Sequence, residues 1–454
     1  ASATDAASDP TLGDDNLNPV RGSIVFDDSD PNNLIGGPTR RLFFVIKNIF
    51  YEWKASATSS FLDQIGSDLG TFTGRVGMAT NNVGQLILVD GTSGYILEGN
   101  NLTRITDSDF VPTDMVVHQD GYFITTEPGT NRFRYSDINN GNSWPGLGFQ
   151  SAEGASDTVE ALLSDRRELW VFGDRTTEVY YNSGDANTPF QRFQNGYLET
   201  GIAAKNTAQK FDNSVVWLSK NDRGYGQVVR AGESFQPQVI SSPQVNYQIQ
   251  QYSRIDDAFA YTYQNEGHEF YVITFPSANA TWAYDAITGQ WHQRAHMINN
   301  RLGRERYSTH VLYRGKHLVG DYENGRIYEL DSDTGFLEQN GSGDTTAIPR
   351  LRTSPGSFDP EGEARVGVSE FQLDMEEGVN DADVWLSYSK DGGHTWSNEI
   401  PRNIGGVGNY AARLIWRKLG RGRHWIFRVR TWSTGKIIIK GAYARLYGEP
   451  QRGK

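Results

Sequence analysis

The chain has 454 residues, which is long for one ordinary domain and suits two or three unless a repeat extends one of them. It contains no Cys, so disulfides, thiolate zinc sites and a cysteine nucleophile are excluded. The net charge of −12 is uneven: residues 401–454 hold thirteen bases and one acid, Glu449, and carry +12, which leaves −24 on the preceding 400 residues. We expect the basic end to face an acidic partner or nucleic acid, while the acidic body repels DNA.

The start of the chain resembles neither a signal peptide nor a membrane segment. Residues 1–15 lack basic and apolar signal regions, and no apolar run in the chain approaches the roughly 20 residues that cross a bilayer. We therefore expect no membrane embedding. The first residue is Ala, which leaves open whether a leader has been removed, and residues 1–18 are predicted to be a mobile acidic arm.

A hairpin of a short apolar strand, a tight turn and a second strand recurs from about residue 41. The first strands of seven such hairpins are centred, 36 to 55 residues apart, on Phe44, Ile87, Phe123, Val171, Trp217, Val272 and Leu318. This spacing is near the period of roughly 40 to 50 residues typical of β-propeller blades. Continuous apolar runs such as residues 86–89 are expected for the inner strand of a blade. The sequence predicts an all-β fold with a six- or seven-bladed β-propeller, and hairpins in stacked sandwiches are the alternative.

The pattern changes after residue 330. Residues 331–349 are rich in Gly, Ser, Asp and Thr and are predicted to be a linker. Five longer alternating strands are predicted at 366–374, 384–389, 411–418, 424–431 and 436–447, and they indicate a β-sandwich-like domain. The predicted organisation is an N-terminal arm and first strand (1–40), a β-propeller (41–340) and a C-terminal β domain with a basic surface (341–454).

The sharpest short motif is an Asp-box, formed by Ser389, Asp391, Gly393, Thr395 and Trp396. In such a turn the Asp side chain accepts hydrogen bonds from the backbone, the Gly allows a positive φ and the Trp packs beneath the hairpin. We therefore predict a structural turn. Asp-boxes also occur in sialidase propellers, but a single box outside the predicted propeller disfavours glycan hydrolysis.

Two further patterns could hold a metal ion. His292 and His296 stand four residues apart without the Glu of a zinc-peptidase motif, so we predict exposed loop histidines. Asp28 with Asp30, and residues 331–335, resemble fragments of calcium loops that lack the later acidic ligand. Solvated turns are the favoured interpretation of both fragments.

Paired carboxylates occur at residues 256–257 and 376–377. Adjacent residues on a strand point to opposite faces, so these pairs do not easily share a substrate. We predict no catalytic, cofactor-binding or metal-binding residue, and hence no enzyme.

Residues 413–430 combine bases with aromatic rings. The residues predicted to bind a partner are Arg413, Arg417, Lys418, Arg421 and Arg423. Cations and rings together are typical of single-strand nucleic-acid binders. An exposed strand face with Arg stems along aromatic side chains is the simpler interpretation, because alternation places Trp425, Phe427 and Val429 on one face. A protein partner fits this surface at least as well as DNA.

Several motifs are similar to those of one known family. The matching segments are 387–396, 413–422 and 427–430, together with 74–79, 177–181 and 201–203 in the predicted propeller. They resemble the tail hub proteins of short-tailed bacteriophages, also called packaged DNA stabilisation proteins, over most of the chain from about residue 41. The resemblance implies a homo-hexameric ring below the portal and its head-to-tail adaptor ring, with a tail needle or plug beneath and tailspikes or fibres around it. The resemblance implies no catalytic residues for this chain.

The expected function is that of a structural virion protein in the phage tail, assembled in the cytoplasm of the bacterial host. As a tail hub, or nozzle, it joins the portal-adaptor ring to the tail tip, forms part of the DNA ejection channel and helps to retain packaged DNA. Double-stranded DNA then passes transiently and without sequence specificity. The alternative is a receptor-binding tail protein whose propeller recognises glycans.

Overall fold

The computed structural model describes residues 3–4, 18–28, 39–55, 60–221, 224–298, 301–330, 337–339, 345–347, 349–356, 365–378, 381–410, 412–433 and 435–447. Most of the predicted acidic arm lies outside these residues, as do Asp30 and residues 331–335 of the two calcium-loop fragments. The chain divides into two compact units, Thr4–Tyr328 and Glu329–Lys454 with Ala1–Ala3.

In the described chain, the first unit contains seven sheets of four or five strands that follow one another, so the blade count is seven. Blade 1 has β2 (Val20–Asp28), β3 (Thr39–Ile46), β4 (Ile49–Ala55) and β5 (Ser60–Gln64). Blade 2 has β6 (Gly77–Thr80), β7 (Gln85–Val89), β8 (Gly94–Glu98) and β9 (Asn101–Arg104). Blade 3 has β10 (Val116–Gln119), β11 (Tyr122–Thr126), β12 (Arg132–Tyr135) and β13 (Phe149–Ser151). Blade 4 has β14 (Val159–Asp165), β15 (Glu168–Gly173), β16 (Thr177–Asn182) and β17 (Phe190–Leu198).

The last three blades depart slightly from this plan. Blade 5 has β18 (Gly201–Ile202), β19 (Gln209–Phe211), β20 (Ser214–Asn221), β21 (Gly224–Ala231) and β22 (Pro237–Val239). Blade 6 has β23 (Phe259–Asn265), β24 (His268–Phe275), β25 (Ala280–Asp285) and β26 (Gln290–Arg294). Blade 7 has β29 (Tyr307–Tyr313), β30 (Lys316–Asp321) and β31 (Ile327–Leu330), with β1 (Ala3–Thr4) as its fourth strand. A hairpin of β27 (His296–Ile298) and β28 (Arg301–Gly303) lies between blades 6 and 7 in the chain.

Helix is rare. A 3-10 turn (Glu233–Phe235) connects the last two strands of blade 5, and the helix α1 (Pro243–Gln251) lies between blades 5 and 6 in the chain. Ser242 caps α1 by accepting a hydrogen bond from the backbone N–H of Val245 at 3.3 Å. Among the described residues, no helix has the length and apolar character needed to span a bilayer.

The continuous apolar runs form the second strand of each blade rather than the innermost one. All five residues of β7 are buried, because this strand has a partner strand on each side and a neighbouring blade on each face. The innermost strands are the first of each blade, and most of them contact each other around the ring. From the sequence we expect the fully buried run to be the inner strand of each blade. That expectation is wrong, because the run forms the strand next to the innermost one.

Each apolar cluster of the first unit joins two consecutive blades. Phe43 and Val45 of blade 1 pack with Leu86 and Leu88 of blade 2, and equivalent clusters follow between the later pairs. The last cluster joins blade 7 to blade 1, and there the hydroxyl of Ser308 also donates to the carbonyl of Val20 at 2.7 Å. The blades thus close into a ring, as the propeller prediction requires.

Polar side chains cross the centre of this ring. Arg75, which precedes blade 2, donates to the carbonyl of Ser308 in blade 7 at 2.8 Å. Its guanidinium carbon lies 4.4 Å from the ring centroid of Phe259 in blade 6. Lys205 of blade 5 forms an ion pair with Asp114, which precedes blade 3. These contacts therefore connect the start of blade 2 with blades 6 and 7, and blade 5 with the start of blade 3.

The second unit is a sandwich of two antiparallel sheets. One has the order β34 (Pro349–Thr353), β39 (Ile426–Trp432), β36 (Asp383–Ser389) and β37 (Ile400–Asn403). The other has the order β38 (Leu414–Gly422), β35 (Val366–Met375) and β40 (Ile439–Tyr447). A hairpin of β32 (Leu337–Gln339) and β33 (Thr345–Ala347) precedes them.

The sandwich core contains Phe371, Trp416, Trp425 and Phe427, with Phe371 and Phe427 stacked at 4.4 Å. The described part of the sandwich has seven strands where five were predicted, because β34 and β37 are short edge strands without fully buried residues. The hairpin β32–β33 also shows that the predicted linker is not free of strands. The predicted all-β architecture is confirmed.

Candidate partner-binding surface

The Asp-box connects β36 to β37. The backbone N–H of Thr395 donates to Asp391 Oδ1 at 2.9 Å, and the hydroxyl of Thr395 donates to Asp391 Oδ2 at 2.6 Å. The hydroxyl of Ser389 donates to Asp391 Oδ1 at 2.7 Å and accepts from the N–H of Gly393 at 2.8 Å. The hydrogen bonds from Thr395 and then Ser389 hold the pKa of the Asp391 carboxyl well below its ordinary value. Gly393 has φ +101°, a conformation that L side chains rarely adopt.

The Trp of the box ties the turn to its own sheet. Trp396 Nε1 donates to the carbonyl of Gly393 at 3.0 Å. The guanidinium of Arg428, on the neighbouring strand β39, lies over the Trp396 ring at 3.6 Å from its centroid. The carboxylate of the box is fully occupied by the turn, and this geometry does not present it to a substrate.

The five predicted partner-binding residues all lie on or beside strand β38 and are exposed. Their inward neighbours Leu414 and Trp416 are buried, which is the alternation of a half-buried strand. The alternation is interrupted at Lys418, which has φ +61° and forms a bulge opposite β35. The bulge keeps Leu419 in the core while Arg417 and Arg421 both face outward. The structure therefore places all five exposed cations along β38, and Arg413, Arg417 and Arg421 contact residues on the outer face of its sheet.

Neighbouring strands supply partial counter-charges. Arg417 Nε lies 3.2 Å from Glu370 Oε2 on β35, and Arg413 Nη2 donates to Gln372 Oε1 at 3.1 Å. Glu370 is itself paired across the sheet with Arg445 of β40, so one acid lies between two bases. Exposed ion pairs of this kind contribute little to stability and leave the face cationic.

Three further residues of this face were not predicted from the sequence: Gly367, Arg445 and Tyr447. The Tyr447 ring lies over Gly367, where an added Cβ would approach it to 2.2 Å. The guanidinium carbon of Arg421 lies 5.4 Å from the centroid of the same ring. In the sequence, the alternation of Tyr443, Arg445 and Tyr447 indicated that these residues share one face of a strand. Their position beside β38 was not predictable, because it depends on the bulges in the sheet.

The aromatic residues of the segment 413–430 do not face solvent, whereas Trp432 at the end of β39 is exposed. Phe427 and Val429 are buried, as is Trp425 just before the strand, while Arg428 and Arg430 point outward over Trp396 and Trp432. This is the alternation expected from the sequence. Rings that lie in the core are not available to stack on bases, so the single-strand nucleic-acid interpretation loses its main support.

His292 and His296 are not exposed loop residues, so the prediction made for them is wrong. His292 lies in β26 and His296 in β27, and His296 is buried with its Nε2 at 3.2 Å from Arg306 Nη1. Within the described ranges, no group of three or more His, Asp or Glu side chains could hold a metal ion. At the pair of carboxylates, Asp256 binds Arg254 at 2.6 Å and Asp257 accepts from Ser277, so the two have separate partners.

Comparison with known proteins identifies two consecutive matches. Residues 39–335 match the family described as bacteriophage P22 Gp10, β-propeller, and residues 357–447 match bacteriophage P22 Gp10, β-sandwich. A search of curated proteins found no match.

Solved structures with a similar chain course include an exo-β-1,3-galactanase from Phanerochaete chrysosporium (10% identity, TM-score 0.30, 84% of this chain and 98% of that one). They also include the dihydro-heme d1 dehydrogenase NirN (11% identity, TM-score 0.38, 72% and 73%). A third is an auxiliary nutrient binding protein from Bacteroides thetaiotaomicron (10% identity, TM-score 0.40, 70% and 69%).

Proposed function

The chain belongs to the family of bacteriophage P22 Gp10, a tail-hub and DNA-stabilisation protein of the virion, and on that premise we propose that it is a tail hub, or nozzle. In this role it joins the portal-adaptor ring to the tail tip, forms part of the DNA ejection channel and helps to retain packaged DNA. The observation that carries the proposal is the match of both units, in order, to the two domains of one structural phage protein.

The partners follow from the same premise. The hub is proposed to form a homo-hexameric ring that contacts the head-to-tail adaptor ring, a tail needle or plug and the surrounding tailspikes or fibres. Double-stranded DNA passes through it without specific contacts, and the protein acts without catalysis. Its place is the virion tail, reached by assembly in the bacterial cytoplasm.

Two physical properties support this role. The first 400 residues carry −24, and a surface of that sign repels the phosphate backbone, so DNA slides past it. The seven blades close into a ring through interfaces that are mostly apolar, an arrangement that resists deformation under load and leaves little strand edge exposed.

The cationic outer face of β38 is proposed to dock onto a neighbouring ring of the tail. The test is a variant that replaces Arg417, Arg421 and Arg423 by Glu, which is expected to be absent from tails assembled in infected cells. A matched variant replaces three exposed cations of the propeller, Lys47, Arg104 and Arg314, by Glu and is expected to assemble. Incorporation is measured by quantifying the protein in purified particles.

Normal infectious particles from the first variant, with the folded protein present in them, would contradict docking through this face. The glycan-recognising alternative stays a prediction: binding of the isolated protein to an array of glycans would favour it over the hub.

A further inference from the structure

Strand β40 is the most exposed regular element of the sandwich. Eight of its nine residues are exposed and Gly441 is half-buried, although the strand is paired along its length with β35. Among the described residues β40 pairs with no other strand, so its second edge is open. Open strand edges of this length are usually covered, because they are ready to pair with another chain.

The core-facing side of β40 is apolar and uncovered. Ala442, Ala444 and Leu446 are the cross-strand neighbours of Leu373, Phe371 and Val368, all three of which are buried. Leu446 nevertheless is 45% exposed, and Ile439 at the start of the strand is 39% exposed. The apolar face of the three-stranded sheet thus extends one strand beyond the part that is buried. Exposed apolar patches of this kind are typical of interaction sites.

The charge around β40 limits what can cover it. Its outer side carries Arg445, next to Arg417 and Arg421 on the same sheet face. Pairing of β40 with the β40 of a second copy by two-fold symmetry would bring these cations together, and like charges across a strand pair are destabilising. The occupant must therefore be acidic.

The chain itself carries such an acidic surface. The loops that lead into blades 3, 4 and 5, residues 105–115, 152–158 and 199–200, contain six acids and no base. Because each of them connects the outer strand of one blade to the inner strand of the next, they lie on the same side of the propeller. Glu153 and Glu199 are exposed there, and burial, followed by the nearby carboxylates of Glu199 and Asp157, raises the pKa of the Tyr197 hydroxyl.

We propose that β40 of one copy docks against these acidic loops of a second copy. The contact joins two different surfaces, so it propagates from copy to copy and closes into a ring when the rotation allows. This inference rests on the proposed function, and it assigns the contact between subunits to β40 while the outer face of β38 serves the neighbouring ring.

The first test is Leu446→Glu, which places a carboxylate in the apolar layer and opposite the acidic loops. The concentration at half-assembly, measured by sedimentation velocity on the full chain, is expected to rise at least about tenfold. The matched control is Val407→Glu, since Val407 is 79% exposed in the same unit but lies outside β40. Unchanged circular dichroism in both variants shows that they are folded.

The second test maps the contact directly. Because the chain has no Cys, Tyr443→Cys and Glu153→Cys each introduce a unique thiol, and Tyr443 is 62% exposed. When the two variants are mixed, a short bis-maleimide is expected to link one to the other. Links only between two Tyr443→Cys chains would show two-fold pairing of β40 and overturn the proposal.

The outcomes separate this inference from the proposed function. If the wild-type chain stays monomeric at all concentrations, or if Leu446→Glu assembles like wild type, β40 is not the subunit contact. Incorporation of Leu446→Glu into tails at the wild-type level would also overturn the inference, yet it would leave the tail-hub role intact.

Discussion

Two interfaces of the propeller ring hold their blades together by different chemistry. Between blades 4 and 5, the rings of Trp170, Phe172 and Trp217 lie 5.4 to 6.1 Å apart, and all three side chains are buried. Aromatic clusters of this kind combine a large apolar area with favourable ring geometry. The ion pairs between these blades, Lys210 with Asp165 and Lys220 with Asp174, lie outside the aromatic cluster at partly exposed side chains.

The interface between blades 6 and 7 is polar. Tyr261 donates to Glu305 at 2.9 Å, and Arg294 lies 3.4 Å from the same carboxylate. His310 and His317 of blade 7 share a hydrogen bond of 3.0 Å, and His310 stacks on Tyr261. The ring therefore owes most of its closure to apolar packing, which is insensitive to pH, and one interface to a network that protonation can disturb.

The largest expected effect is on the aromatic interface. Trp217→Ala removes a fully buried ring and leaves a cavity, and the free energy of unfolding is expected to fall by about 4 kcal/mol. Urea denaturation measures it. Tyr247→Ala, on the exposed side of α1, is the control and should change stability by less than about 0.5 kcal/mol. An equal loss of unfolding free energy in both variants would contradict a special contribution of the aromatic interface.

A smaller effect is expected at the polar interface. Arg294→Met deletes the cation beside Glu305 and its hydrogen bond to the Tyr263 hydroxyl, so a largely buried carboxylate loses its counter-charge. Stability is expected to fall by roughly 3 kcal/mol, and the double variant Arg294→Met, Glu305→Gln should recover part of it. A double variant that is less stable than Arg294→Met alone would show that charge balance is not the cause.

Acid should weaken the same interface. Burial, with His317 and Arg294 nearby, lowers the pKa of His310 from 6.5 to about 3. Between these values the unfolded chain binds a proton that the folded chain does not, so stability falls as the pH drops through this window. We expect Tm to fall by roughly 5 °C between pH 7 and pH 4, measured calorimetrically.

His310→Phe keeps an aromatic ring against Tyr261 and removes the titrating group. The slope of Tm against pH should therefore be shallower in this variant than in wild type. Parallel curves would assign the acid sensitivity to other groups.

The sequence predicted the parts of the fold that repeat. The second and third strands of most blades, such as β7 and β8, stand out as apolar runs around a Gly turn, and their spacing indicated a propeller. The first and fourth strands escaped notice, because β6 and β9 have four residues each and a single buried one. The polar interface was also hidden, since Tyr261 and His310 are far apart in the chain and ordinary in composition.

The candidate surface was predictable only in part. The basic composition of the segment was enough to single out the cations of β38 as candidates, and the Asp-box was predicted as a turn from its local motif. Arg445 and Tyr447 joined the same surface through the pairing of β40 with β35, which is shifted by bulges at Glu370 and Asp374. A register of this kind depends on backbone geometry across the sheet, so it leaves little trace in the sequence.

The side chain of Arg75 reaches from the entrance of blade 2 to blades 6 and 7. These contacts bypass blade 1, which lies between blades 7 and 2 in the ring. The joint between the first and last blades is thus bridged from outside blade 1, so opening the ring at that joint also breaks a contact made by the segment that leads into the next blade.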